Sequence, residues 1–260
     1  MSLYLERAAG RLHYRIDGNE HAPWLMLSHS LGVNLGMWAP QMDALLQHFR
    51  VLRYDTRGHG GSDLPTPSSS IDDLAQDAVD LLDHLGIAQT HFCGLSMGGM
   101  TGQALAALHP ARVARLALCN TSPYMAPASD WDGRIATVRN GGMAAIVDAV
   151  ITRWFTARFQ AAAPDKIAIV REMLLHTSPE GYMACCGAIR DMDQRERVKT
   201  IGNATLVIAG SHDPATPPQD GRALAACIAG AQYVELDAAH LSNWEQPEAF
   251  TRSLVEFLLA

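Results

Sequence analysis

The sequence predicts an α/β domain, with a mostly parallel central sheet flanked by helices and a helical lid inserted between two of its strands. Three observations predict it. Short apolar runs of strand length alternate with amphipathic runs of helix length. A G-x-S-x-G pentapeptide falls where one such strand gives way to a helix. The alternation stops near residue 121 and resumes near residue 200.

Leu3-Tyr4-Leu5 and Leu12-His13-Tyr14-Arg15-Ile16 flank Ala9-Gly10-Arg11 and predict an opening hairpin. The apolar run 24–28 predicts a strand running into the small-residue loop His29-Ser30-Leu31-Gly32. Residues 38–49 predict a helix and 51–54 the next strand, followed by the glycine-rich loop Asp55-Thr56-Arg57-Gly58-His59-Gly60-Gly61-Ser62. Ile71, Leu74, Ala78, Leu81, Leu82 and Leu85 recur at helical spacing, behind a cap supplied by Asp72 or a preceding serine.

Phe92 to Leu95 predicts a buried strand, 100–109 a helix and 113–119 another strand. From 121 to about 198 only helical segments follow, with candidates at 131–139, 143–159, 165–176 and 181–192. The rhythm then returns: a strand at 205–209, a helix at 219–228, a strand at 233–236 and a closing helix at 247–259. The predicted division is a core of residues 1–120 and 200–260, with a lid of 121–199.

The pentapeptide Gly94-Leu95-Ser96-Met97-Gly98 sits at a strand–turn–helix junction, the context of a nucleophile elbow. Ser96 must adopt a strained backbone there to lift its hydroxyl clear of the sheet. Gly94 and Gly98 leave room where a Cβ would strike the adjoining strand and helix.

A serine hydroxyl needs a base to take its proton, and the base needs a carboxylate to fix its tautomer. Asp213 follows the strand at 205–209 and His240 follows the last strand, so both are expected at one sheet edge with Ser96. The order Ser, Asp, His suits this arrangement, with Asp237 as the alternative acid. The backbone N–H groups of Met97 and Leu31 are the expected oxyanion donors. His29, Arg57 and His59 are expected to fix loops, not to react.

Composition narrows the partners. The 260 residues are 48 % hydrophobic, enough for one large domain with a sizeable core. No run reaches membrane-span length and no secretory signal pattern is present, so a cytoplasmic location is expected. Five cysteines without framework spacing fit a reducing compartment, and Cys185-Cys186 lacks zinc spacing. A net charge of -7 argues against nucleic-acid and anionic-membrane partners. Yet residues 121–200 hold ten Lys+Arg against nine Asp+Glu, while the rest of the chain holds ten against eighteen.

Over almost its whole length the chain resembles the α/β-hydrolase superfamily and, within it, the 3-oxoadipate enol-lactonases of bacterial aromatic-acid breakdown. The resemblance rests on Tyr54 to Ser62, Gly94 to Gly99, Arg153-Trp154-Phe155-Thr156, His212-Asp213-Pro214-Ala215-Thr216-Pro217-Pro218 and Ala239-His240-Leu241-Ser242-Asn243. Ser30 departs from it, because relatives commonly carry glycine after that histidine. The resemblance implies Ser96, Asp213 and His240 as the triad and a small anionic lactone as substrate. It implies no metal or organic cofactor.

An anion entering a negatively charged protein needs a local cation. Arg134 or Arg153 is expected to pair its carboxylate, with Trp131 and Trp154 walling the ring. The competing assignment leaves those arginines solvated and the tryptophans in the core. A broad carboxylesterase, a carbon–carbon bond hydrolase, a perhydrolase and a slow-turnover ligand receptor remain as alternatives on the same fold.

Overall fold

The structure is a computed structural model and describes residues 3–7, 10–64 and 69–260. Ala9 of the expected hairpin turn lies outside the described residues. Among the described residues eight strands form one sheet: β1 (Leu3–Leu5), β2 (Leu12–Asp17), β3 (Trp24–Ser28), β4 (Arg50–Tyr54), β5 (Thr90–Leu95), β6 (Val113–Cys119), β7 (Ala204–Gly210) and β8 (Gln232–Leu236). Their order is β1-β2-β4-β3-β5-β6-β7-β8. β2 pairs antiparallel with β1 and with β4, and every other pairing is parallel. The α/β class and mostly parallel sheet therefore hold.

Helices cover the central strands on both faces, which explains their nearly continuous apolar sequences. Leu25, Met26, Leu27, Phe92, Cys93, Leu116, Ala117, Leu118 and Ile208 are all fully buried. Because β3 and β5 to β8 run the same way, the segments leaving their carboxyl ends gather at one rim. Those segments carry His29 to Leu31, Ser96, Asn120, Asp213 and His240.

The helix Ile71–His84 begins in a capping box in which Ser70 and Asp73 satisfy each other's backbone N–H, so the preceding serine, not Asp72, is the cap. Its buried stripe includes Ile71, Leu74, Ala78, Leu81 and Leu82. Two expected helices differ. Residues 38–49 begin inside a 3-10 turn, Leu35–Gln41, and continue as the short helix Met42–Leu45. Pro40 lies inside that turn, where it removes an N–H donor and breaks the helical ladder.

The expected helix 143–159 is broken into Met143–Ala145, Val147–Trp154 and Ala157–Ala162. The break is at Phe155, which is extended and buried with its ring stacked on Phe159. Thr156 then caps the next helix by accepting from the Phe159 N–H.

The α-helices between β6 and β7 are Ala128–Gly141, Val147–Trp154, Ala157–Ala162, Pro164–Leu175 and Pro179–Asp191, in the segment expected to be a lid. They are tied to the sheet rim by hydrogen bonds. Thr177 Oγ1 donates to Gly32 O at 2.7 Å. The Leu241 N–H donates to Trp154 O at 3.1 Å. Glu245 accepts from the Thr156 N–H (2.9 Å) and hydroxyl (2.7 Å), and from the Ala239 N–H at 3.1 Å. Among the described residues no helix is long and apolar enough to cross a membrane.

Candidate active site

Ser96 stands between β5 and the helix Met97–Leu108 with φ 58° and ψ -117°, a conformation costly for any residue with a Cβ. Its surroundings hold it there. The Ser96 N–H donates to Cys119 O at 2.8 Å, and Ser96 O accepts from the Thr121 hydroxyl at 2.8 Å. The flanking glycines are dictated by space. A Cβ on Gly94 would overlap the Gly98 carbonyl, and one on Gly98 would overlap the Ser28 carbonyl of β3. Gly99 meets the Thr121 side chain in the same way.

Ser96 Oγ lies 2.9 Å from His240 Nε2, and His240 Nδ1 lies 2.8 Å from Asp213 Oδ2. The carboxylate is acceptor only, so the imidazole proton sits on Nδ1 and Ser96 Oγ donates to Nε2. Asp213 is buried, yet every lone pair it presents is used. Oδ1 accepts from the N–H groups of Ala215 (2.8 Å) and Thr216 (3.0 Å). Oδ2 also accepts from Thr216 Oγ1 (2.8 Å) and Asn120 Nδ2 (3.1 Å). Burial alone would raise its pKa; His240 and these donors outweigh burial and hold the carboxyl below its usual range. Asp237, the alternative acid, is elsewhere: it is exposed and paired with Arg158 and His212, both at 2.9 Å.

Leu31 and Met97 are both buried, and among the described residues neither backbone N–H has a protein acceptor. Two unpaired buried amides beside one serine are a rarity in folded chains. Fixed hydrogen bonds shape the loop that carries Leu31. The Thr56 N–H donates to His29 Nε2 (2.9 Å), so His29 Nδ1 donates to Ser30 O (2.7 Å). The Gly32 N–H donates to His59 Nε2 (3.0 Å), and His59 Nδ1 donates to Arg57 O (3.1 Å). Burial lowers the pKa of His29, and it takes that of His59, with the nearby His29 adding to the effect, down to about 3. Both rings are thus neutral and hold the loop. Arg57 grips Asp77 through two bonds of 2.7 Å.

A cavity of about 220 Å³ opens on Ser96 and His240. Its wall includes Leu31 and all four lid residues expected at the substrate: Trp131, Arg134, Arg153 and Trp154. Trp154 lies with its ring 6.0 Å from that of His240. The Arg134 guanidinium lies over the Trp131 ring at 4.7 Å. Burial, followed by the charge of Arg134, lowers the pKa of Arg153. Cys185 and Cys186 are buried, and burial pushes both thiols up to about 12. Among the described residues no three His, Cys, Asp or Glu are grouped as a metal ion would require.

Sequence reasoning missed Asn120, Thr216 and Glu245. Thr216 had a signal: three residues after an aspartate in a proline-bounded turn, it can close an Asx-type turn on that carboxylate. Asn120 had only its place at the carboxyl end of a strand. Glu245 had none.

Residues 23–163 match the model of the alpha/beta hydrolase fold family. The chain is 40 % identical to 3-oxoadipate enol-lactonase 2 of Acinetobacter baylyi, over 94 % of this chain and 91 % of the other. It is 30 % identical to a putative carbamate hydrolase, RutD, of Agrobacterium fabrum, over 95 % of this chain and 98 % of that one. Among solved structures, the enol-lactonase from Burkholderia xenovorans LB400 superposes with a TM-score of 0.97 at 50 % identity, covering 99 % of this chain and all of the other.

Proposed function

The chain belongs to the α/β-hydrolase family, and from that premise we propose that it hydrolyses 3-oxoadipate enol-lactone to 3-oxoadipate. The similarity to enol-lactonases extends across nearly the whole chain, lid included. The observation that carries the reading is the cavity itself. The cavity is lined by Ser96 and His240, backed by the buried Asp213, and also by two arginines that have no acidic partner among the described residues. An ester bond and a carboxylate in one small ligand match those two sets of groups.

Ser96 Oγ attacks the lactone carbonyl as His240 Nε2 takes its proton. The Leu31 and Met97 N–H groups receive the charge that develops on the carbonyl oxygen. The ring C–O bond breaks, and His240 returns the proton to the departing enol oxygen. Water then attacks the acyl ester with His240 as base, freeing Ser96 and a new carboxylate. The leaving group stays tethered to the acyl chain and could re-close the ring; ketonisation of the enol removes that return path. Arg134 or Arg153 pairs the carboxymethyl group, and Trp131 and Trp154 flank the ring.

The same reading places the reaction in cytoplasmic breakdown of aromatic compounds. Five free cysteines, four of them buried, accord with a reducing compartment. The test is loss of the enol-lactone followed spectrophotometrically. Wild type is expected to turn it over many times and Ser96→Ala to leave it intact. A burst of about one equivalent that then stalls would mark a receptor instead.

A further inference from the structure

We propose that Arg134 and Arg153 together form a dicarboxylate site, so that the protein binds the dianion it produces more tightly than the monoanion it consumes. The inference rests on the enol-lactonase reading for the identity of substrate and product.

Charge balance motivates it. Hydrolysis breaks the acyl C–O bond, water supplies OH to the acyl carbon and hydrogen to the departing oxygen, and the new acid loses its proton at neutral pH. One negative charge enters and two leave, with one proton released.

The cavity carries charge to match the second state. Of the six other lid arginines, five are each bonded to an aspartate: Arg158 to Asp237, Arg171 to Asp148, Arg190 to Asp132 and Asp191, Arg195 to Asp193, and Arg197 to Asp72. Among the described residues Arg134 and Arg153 have no such partner, and both line the cavity that holds Ser96. Asp130 is the one acidic residue on that wall among the described residues; it is exposed and forms no ion pair with either arginine. The two guanidiniums also feel each other, since the charge of Arg134 disfavours the charged form of Arg153. A monoanion neutralises one of them and leaves the other uncompensated. A dicarboxylate can neutralise both and relieve the repulsion between them.

The test uses adipate and hexanoate, which share a chain length and differ by one carboxylate. Calorimetric titration of Ser96→Ala is expected to give adipate the tighter binding by about tenfold or more. Arg134→Leu and Arg153→Leu, each made in that background, are expected to cut the preference to about threefold or less. Arg134→Lys and Arg153→Lys keep the charge and are expected to retain part of it. Melting curves verify that every variant folds. A preference below about threefold in Ser96→Ala, or one that survives both leucine variants, overturns the proposal. Turnover of the lactone by wild type is scored separately. A protein that opens the lactone without favouring adipate refutes the dicarboxylate site alone; one that favours adipate and leaves the lactone intact refutes the substrate assignment alone.

Discussion

Asn120 donates its side-chain amide to Asp213 Oδ2, the same oxygen that receives the Nδ1 proton of His240. The amide is itself held. Nδ2 also donates to Ala239 O at 3.3 Å, and Oδ1 accepts from Ser242 Oγ at 2.6 Å. The backbone of Asn120 has φ 43°, so glycine suits the position better than alanine. Asn120→Gly is expected to lower kcat by about tenfold with little change in KM, through loss of one donor to the carboxylate. Asn120→Ala adds backbone strain of about 1 kcal/mol or more on top. Steady-state kinetics and denaturant unfolding of the two variants check both statements.

Substitutions in the Ser96–His240–Asp213 chain should behave as one unit. Asp213→Asn is expected to cost about 10⁴ in kcat, because an amide at Oδ2 can leave His240 in the wrong tautomer. Asp237→Asn is the matched control. Its carboxylate is exposed and bound to Arg158 and His212, so kcat is expected to stay within about twofold. Comparable losses in the two variants would move the acid to Asp237.

Burial sets a pH dependence for stability. His59 has a folded pKa of about 3 against about 6.5 when unfolded, so between those values the unfolded chain binds a proton that the native one refuses. Stability is therefore complete above about pH 6.5 and falls as the pH drops toward 3, by an amount on the order of 4 kcal/mol from this group. His29, also held neutral by burial, adds to the same slope. Urea unfolding at a series of pH values should show the decline, and His59→Gln should flatten it without abolishing it.

Ser30 is buried in the cavity wall, and its hydroxyl has no hydrogen-bond partner among the described residues. An unsatisfied buried hydroxyl costs about 1–3 kcal/mol. Ser30→Ala is accordingly expected to raise stability by about 1 kcal/mol, read from the denaturant midpoint. A loss of stability would mean that the hydroxyl has a partner in solution.

The parts of this molecule that were readable in the sequence are those written in local patterns. Strands β3 and β5 to β7 are apolar because both their faces are covered, and the elbow glycines are fixed by carbonyls that leave no room for a Cβ. Asp213 and His240 could be placed because each follows a strand. Asn120 and Glu245 could not, because their partners lie 93 and 89 residues away in the chain and no spacing rule links them. The break at Phe155 was hidden for a related reason. Its sequence continues a helical pattern, and only the packing of its ring on Phe159 turns the backbone.

Glu245 gives the tie between the lid and the His240 loop an engineering consequence. It lies well downstream of the insert, yet one carboxylate oxygen bonds both the Thr156 N–H and the Ala239 N–H. A chimaera that transplanted residues 121–199 alone from a cousin without a hydroxyl at position 156 would leave the second oxygen of this carboxylate, Oε2, without its donor close to the general base. Swapping covers between such enzymes therefore means carrying position 245 along with the graft.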